Sequence, residues 1–123
     1  METHESKEMY LETILRLSEC QDKVRSIDVA NSLNFTRASV SVAVKHLKDE
    51  GFIEILADNS LHLTQTGLKI AQSVFEKHKY LTQLLISFGV SKGVAENDAC
   101  RIEHIISDET FTKIKEYVLN NNK

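Results

Sequence analysis

The sequence contains no proline, no tryptophan and only four glycines in 123 residues. Proline and glycine mark linkers and collagen-like repeats, so their scarcity excludes those classes and favours a mostly helical chain. There are only two cysteines, Cys20 and Cys100. Two cysteines cannot build a disulfide framework, and the sequence therefore predicts a reduced, cytoplasmic protein.

Long apolar runs are missing as well. No stretch approaches the roughly 18 apolar residues that a membrane span needs, and the N-terminal residues lack the basic flank and apolar core of a signal peptide. With 41% hydrophobic residues the chain is too apolar for disorder. The net charge of −3 argues against a non-specific nucleic-acid coat. It still permits a DNA-binding protein whose basic residues are locally concentrated.

The first half of the chain has the pattern of three helices followed by a hairpin. The helices are predicted over residues 5–19, after an N-cap at Ser26, and from an N-cap at Thr36 to a stop at Gly51. Two β-prone runs follow, over residues 52–56 and 61–64. This order of elements is that of a winged helix-turn-helix, in which the third helix is presented to the major groove of DNA.

The second half is predicted to be all-helical, with helices over residues 66–88, 93–106 and 108–119. On the long helix an apolar face runs to Phe88, and Gly89 is a suitable C-terminal cap. The predicted fold class is therefore mainly α. A winged helix-turn-helix with a small β-hairpin wing occupies residues 1–65, and a helical domain occupies residues 66–123.

The third helix is the predicted DNA-contacting element. Val40, Val44 and Leu47 are predicted to pack inward. Arg37, Ser41, Lys45 and Lys48 form an outward polar stripe. The predicted DNA contacts are Thr36, Arg37, Ala38, Ser39, Ser41, Val42 and Lys45. Arg37 is the residue expected to read guanine, and Val42 can meet a thymine methyl group. Ser39 and Ser41 fit a simple solvated helix surface equally well, and the wing, residues 57–60, holds no basic residue and should contact phosphates only modestly.

A sulfur, a carboxylate and an imidazole share one helical face near the C-terminus. Cys100, Glu103 and His104 stand at i, i+3 and i+4, where side chains are neighbours on a helix. Such a trio can bind a first-row divalent metal. A partly buried cysteine beside a solvated Glu-His pair explains the same pattern. Met9, Glu12 and His78 are weaker candidates, since each taken alone fits the core or the surface.

Several segments together resemble the metal-dependent repressors of the diphtheria toxin repressor and manganese transport regulator family. They are residues 8–12 (EMYLE), 24–30 (VRSIDVA), 38–41 (ASVS), 63–67 (LTQTG) and 97–107 (NDACRIEHIIS). The resemblance extends over nearly the whole chain. It implies a homodimer that binds palindromic operator DNA, with metal binding and dimerisation assigned to the helical domain. No membrane association and no organic substrate are expected.

The resemblance also implies two adjacent metal sites. Met9, Cys100, Glu103 and His104 match the primary site, with Cys100 ligating through sulfur, main-chain carbonyl or both. Glu12 and His78 match a second site, in which Glu103, with or without Cys100, would bridge. The set is a hybrid, because Met9 and Cys100 are typical of iron-type members, whereas Glu12 and His78 are typical of manganese-type members.

This ligand set favours Fe²⁺ as the effector, because thioether and thiolate ligands suit softer or later metals than Mn²⁺. Mn²⁺ comes next, and Co²⁺, Ni²⁺ and Zn²⁺ are expected to substitute in vitro. Iron-type members carry a Glu where this chain has Thr82. Many of them also have a C-terminal SH3-like domain, for which this chain has no room, so a short two-domain form is expected.

Three other functions fit parts of the pattern. A winged-helix regulator could sense an oxidant or a small molecule, with Cys100 as the sensor. A metalloenzyme could use the Cys/Glu/His trio, although no general base or oxyanion stabiliser is evident near it, and the protein is predicted not to be an enzyme. A dimerisation module without DNA binding would leave the polar stripe of the third helix unexplained.

Overall fold

The structure, a computed structural model, describes residues 4–121 of the chain. Six helices and a two-stranded hairpin follow one another in the order α1 (His4–Cys20), α2 (Ser26–Leu33), α3 (Arg37–Asp49), β1 (Ile53–Ile55), β2 (Leu61–Leu63), α4 (Gln65–Ser87), α5 (Lys92–Ile102) and α6 (Asp108–Asn121). The chain divides into two compact units, Met1–Gln72 and Ser73–Lys123. The predicted domain boundary after residue 65 stays a prediction.

The first unit is a winged helix-turn-helix around an apolar core. Buried side chains from every element contribute, among them Leu11 and Ile14 of α1, Val29 of α2, Leu47 of α3 and Ile53 of β1. The turn between α2 and α3 passes through Asn34, which has the left-handed conformation (φ 58°) that ends α2. Thr36 then caps α3, because its hydroxyl accepts a hydrogen bond from the main-chain N–H of Ser39 at 3.2 Å.

The hairpin is short and is fixed to the helices at two points. Its strands are antiparallel, with Ile53 opposite Leu63 and Ile55 opposite Leu61. The main-chain N–H of Leu61 donates to the carbonyl of Val24, just before α2, at 2.7 Å. At the other end, Gly67 lies so close to Phe52 that a Cβ atom there would stand 2.0 Å from the Phe52 carbonyl oxygen. Only glycine allows this approach of α4 to the hairpin.

The second unit consists of the rest of α4 together with α5 and α6. Its fully buried apolar residues are small or aliphatic, namely Val74, Leu81, Ala95, Ala99 and Val118. Gly89 (φ 96°) ends α4 as expected, and the N–H of Val90 returns to the carbonyl of Leu85. Ser107 caps α6 by accepting a hydrogen bond from the N–H of Thr110 at 3.1 Å.

The predicted fold class is confirmed, while some details of the sequence analysis are wrong. Ser26 is the first residue of α2 and not its N-cap; Arg25 holds that position, and its N–H donates to the Asp28 carboxylate at 2.8 Å. Helix α5 ends at Ile102, earlier than predicted, because a turn follows. Phe88 is 66% exposed, since it lies beyond the last residue of α4. Within residues 4–121, none of the helices combines the length and apolar character that crossing a membrane requires.

Candidate metal centre and DNA-contacting surface

Three predicted metal ligands lie together at the C-terminal end of α5. Cys100 is the third-last residue of this helix, Glu103 is its C-cap, and His104 follows in the turn. The main-chain N–H of Glu103 still bonds to the carbonyl of Ala99, so the backbone keeps helical geometry through Glu103. One potential ligand atom from each of the three residues lies within 4.8 Å of the other two.

The Glu103 carboxylate is the buried centre of this group. The residue is 1% exposed, and its Oε2 atom lies 2.9 Å from Nδ1 of His78, on α4. Its other oxygen, Oε1, is buried without a hydrogen bond from the described residues and lies 3.4 Å from Nε2 of His104. The structure therefore brings together Cys100, Glu103, His104 and His78 within the second unit.

The chemistry of this group fits a divalent transition metal. A buried carboxylate oxygen without a hydrogen bond costs free energy, and a cation beside it would remove that cost. Soft sulfur, imidazole nitrogen and carboxylate oxygen are together the ligands of first-row divalent metals rather than of Mg²⁺ or Ca²⁺. One turn after His78, the buried Thr82 hydroxyl also lacks a hydrogen-bond partner among residues 4–121. Thr82 thus adds a buried hydroxyl group on the helix that carries His78.

The remaining predicted ligands, Met9 and Glu12, belong to α1 in the first unit. Glu12 is 5% exposed, and its Oε2 atom lies 2.9 Å from Nη2 of Arg16, one turn later. Met9 is half-buried, and its carbonyl accepts a hydrogen bond from the Thr13 hydroxyl at 2.8 Å. A buried carboxylate in the middle of a helix is unusual and suggests a role beyond solvation.

Helix α3 presents a polar surface to solvent. All residues predicted to contact DNA are exposed, namely Thr36, Arg37, Ala38, Ser39, Ser41, Val42 and Lys45. Val42 is 54% exposed, as an apolar residue for a thymine methyl group should be. Thr36 and Ser39 bond to each other at 2.9 Å, so these two hydroxyl groups already serve the helix cap. Their roles in DNA binding remain predictions.

Two basic residues before α2 were not singled out from the sequence. Lys23 and Arg25 are exposed and both approach Asp58, in the turn of the hairpin. The signal in the sequence that could have identified them is their position as two basic residues immediately before α2. Their relation to the hairpin, more than thirty residues later, is visible only in the folded chain.

Comparison with known protein families agrees with this geometry. Residues 2–60 match the model described as the N-terminal DNA-binding domain of iron-dependent repressors. Residues 64–123 match the metal-binding and dimerisation domain of the same family. The chain belongs to the iron-dependent repressor family. The resemblance noted in the sequence is thereby confirmed.

This chain has relatives among named repressors and transcriptional regulators. It is 33% identical to the diphtheria toxin repressor of Corynebacterium diphtheriae over 111 residues, which are 89% of this chain and 49% of that protein. It is 34% identical to the transcriptional regulator MntR of Escherichia coli over 102 residues, 83% of this chain and 66% of that one. The chain thus spans about half of the first relative and about two thirds of the second.

A solved structure of the same family superimposes well. The manganese regulator SloR matches 91% of this chain and 53% of its own length, with a TM-score of 0.82 and 26% identity. The winged-helix interpretation of the N-terminal half therefore has structural support as well as support from sequence.

Proposed function

We propose that this chain is a metal-dependent transcriptional repressor, which binds operator DNA as a homodimer when a divalent metal is bound. One observation carries the proposal. The buried Glu103 carboxylate in the second unit is surrounded by His78, His104 and Cys100, which can ligate a metal, and the first unit exposes α3, whose side chains suit a DNA-recognition helix. Metal-ion homeostasis genes are the proposed targets, and no catalytic activity, membrane association or organic substrate is part of the proposal.

Metal ligation by both units would couple metal to DNA binding. His78, Cys100, Glu103 and His104 would hold the metal in the second unit, with Met9 and Glu12 supplied by α1. In the proposed site Glu12 and Glu103 would both be ligands, and without a cation their negative charges would repel each other. A bound divalent ion would cancel this repulsion and fix the orientation of the DNA-contacting unit. Such couplings are typically worth about 1–3 kcal/mol, or roughly 5- to 150-fold in DNA affinity.

Fe²⁺ is the proposed effector, with Mn²⁺ as the second choice. The sulfur atoms of Met9 and Cys100 favour a softer metal than Mn²⁺, whereas Glu12 and His78 are compatible with either. Co²⁺, Ni²⁺ and Zn²⁺ should bind in vitro by the Irving–Williams order. DNA binding under each metal is therefore more informative than affinity for the metal alone.

We propose a homodimer on a palindromic operator because residues 64–123 match the family's metal-binding and dimerisation domain. Two recognition helices related by a two-fold axis would read half-sites about 34 Å apart, one turn of B-DNA. The second unit has apolar surface for such an interface. Leu84, Phe88, Ile114 and Tyr117 line an open groove in which Phe88 and Tyr117 are 66% and 52% exposed.

The test is DNA binding against metal. A duplex is selected from a random-sequence pool in the presence of Fe²⁺ under anaerobic conditions, and binding is followed by fluorescence anisotropy with Fe²⁺, with Mn²⁺ and with excess chelator. We expect tight binding with metal and its loss with chelator. Glu103→Ala and His104→Ala should abolish the metal response, whereas Glu96→Ala, an exposed position of α5, should keep it.

Three outcomes would contradict the proposal at different levels. Selected DNA that binds equally well with chelator would show that the chain is not metal-dependent. Equal activation by Fe²⁺ and Mn²⁺ would remove only the preference for iron. Selection of no duplex at all, from a chain that binds metal, would contradict the repressor function.

A further inference from the structure

A basic cleft opens in the first unit between α2, α3 and the hairpin. It has a volume of about 530 Å³ and is lined by side chains that include Arg25, Lys45, Lys48 and Asn59. Lys45 and Lys48 lie one helical turn apart on α3, on the same face as Ser41. Among residues 4–121, neither lysine forms an ion pair. Two solvated cations thus point toward the cleft.

Arg25, which also lines the cleft, differs from the two lysines because it and the neighbouring Lys23 are held by Asp58. Lys23 Nζ lies 2.9 Å from Asp58 Oδ2, and Nη2 of Arg25 lies 4.0 Å from the same oxygen. Nε of Arg25 donates to the Asp58 main-chain carbonyl at 3.1 Å. The hydrogen bond from Lys23, with those from Ser60, lowers the pKa of Asp58 well below its ordinary value of 3.8, so this residue is an anion at neutral pH.

The position of Asp58 is fixed by buried structure. Ser60 is 1% exposed, and both its N–H and its hydroxyl donate to Asp58 Oδ1, at 3.0 and 2.6 Å. The adjacent N–H of Leu61 bonds to the carbonyl of Val24, between Lys23 and Arg25. The hairpin and the basic segment are therefore tied together, which keeps Asp58 close to Lys23 and Arg25.

We propose that this cleft receives a phosphate of the DNA backbone, bound by Arg25, Lys45 and Lys48, and that Asp58 limits this affinity as a built-in counter-anion. The inference rests on the proposed DNA-binding function and adds residues to it. A phosphate fits because the cleft offers cations from two sides and an amide at Asn59, and because it adjoins the exposed face of α3. Asp58 already neutralises part of the positive charge that would attract the phosphate. The cleft therefore contributes less to DNA affinity, and the other DNA contacts contribute a larger share.

The substitution Asp58→Asn isolates the charge. Asparagine keeps the Oδ1 acceptor for both Ser60 donors, so the turn is retained while the anion is lost. Glu54→Gln is the matched control, because Glu54 is exposed in the same hairpin, carries the same charge and forms no ion pair with residues 4–121. Since phosphate contacts do not depend on sequence, the probe is a short random-sequence duplex, titrated at several salt concentrations with and without Mn²⁺.

We expect Asp58→Asn to raise affinity about 3- to 10-fold, equally with and without metal, and to steepen the dependence of log affinity on log salt by about one to two. Glu54→Gln should change both quantities much less. In a Lys23→Gln/Arg25→Gln background, Asp58→Asn should lose most of its effect, because the cations that it releases are absent. An unchanged or lowered affinity of Asp58→Asn would overturn the proposal, as would an equal effect of Glu54→Gln.

A second pair of variants tests the cleft even if Asp58→Asn does not fold. Arg25→Gln and Lys48→Gln alter exposed side chains, and each should weaken binding for all sequences and reduce the salt slope by about one. Unchanged slopes would show that no phosphate binds here. If the parent chain binds DNA with metal and these variants keep its affinity and salt dependence, only the phosphate site in the cleft is contradicted. If the parent chain never binds DNA, the proposed function itself is contradicted.

Discussion

The Nδ1 atom of His78 lies 2.9 Å from Oε2 of Glu103, whose other carboxylate oxygen lies 3.4 Å from Nε2 of His104. One buried carboxylate therefore stands between two imidazoles. In the metal-free chain this contact limits the cost of burying the charge. If a divalent metal were bound, Glu103 would supply an anionic ligand and would help to orient the imidazoles beside it. Glu103 should thus be the residue on which the centre depends most.

Replacing Glu103 by Gln is expected to weaken metal binding by at least tenfold, because the anionic ligand is lost while the shape is kept. The measurement is competition against a chromophoric chelator, with Co²⁺ or Mn²⁺ as the metal. Glu96→Gln, on the exposed face of α5, is the control with the same charge change. Unaltered affinity in Glu103→Gln would exclude this residue as a ligand.

Thermal unfolding gives an independent measure of the same site. A metal that binds only the folded chain stabilises it by about 2.7 kcal/mol when its free concentration is a hundred times its dissociation constant. We therefore expect saturating metal to raise the melting temperature of the parent chain and to leave that of Glu103→Gln nearly unchanged. The stabilisation should decrease as the pH is lowered, because protons compete with the metal for its ligands. A metal effect that is equal in both proteins would place the binding elsewhere.

Cys100 is exposed, and its sulfur is close enough to Glu103 and His104 to share an ion with them. Direct ligation by thiolate predicts an intense near-ultraviolet charge-transfer band on addition of Co²⁺, which Cys100→Ser should abolish. Cys20→Ser, at the exposed end of α1, should keep the band. If Co²⁺ binds to the parent chain without the band, ligation by the Cys100 sulfur is excluded and the main-chain carbonyl becomes the alternative.

The ligands that could be predicted from the sequence alone are those that lie within a few residues of one another in the chain. Cys100, Glu103 and His104 stand at i, i+3 and i+4, so their spacing alone placed them together, although α5 ends before His104. His78 is 25 positions from Glu103, and only the family resemblance suggested the pair. The early end of α5 was missed because neither glycine nor proline marks it. The Asp58 contacts were also missed, because they depend on where the hairpin lies against the start of α2.

The recognition helix provides a test of which residues read sequence. Arg37 stands at the first turn of α3, exposed and without an ion pair among residues 4–121, as a guanine contact should be. Arg37→Ala is expected to cost about 1–3 kcal/mol on the selected duplex and much less on a random one. Lys45→Ala should weaken both duplexes alike, because phosphate contacts carry no sequence information. An equal loss on both duplexes for Arg37→Ala would make Arg37 a positioning residue.

Alanine substitutions at Gly67 and Gly93 provide a test and a control for the packing of the fold. An alanine at 67 would place its Cβ atom 2.0 Å from the Phe52 carbonyl oxygen, which already accepts the Thr64 N–H of the hairpin. Gly67→Ala should therefore destabilise the first unit by about 3 kcal/mol, as overpacking against backbone does. A Cβ atom at Gly93, near the start of α5, would meet no atom of residues 4–121 within 4 Å beyond its chain neighbours and its own helix backbone, so Gly93→Ala should stabilise the chain by about 0.5 kcal/mol. Urea unfolding of the two variants checks both signs, and a harmless Gly67→Ala would contradict the close approach of α4 to the hairpin.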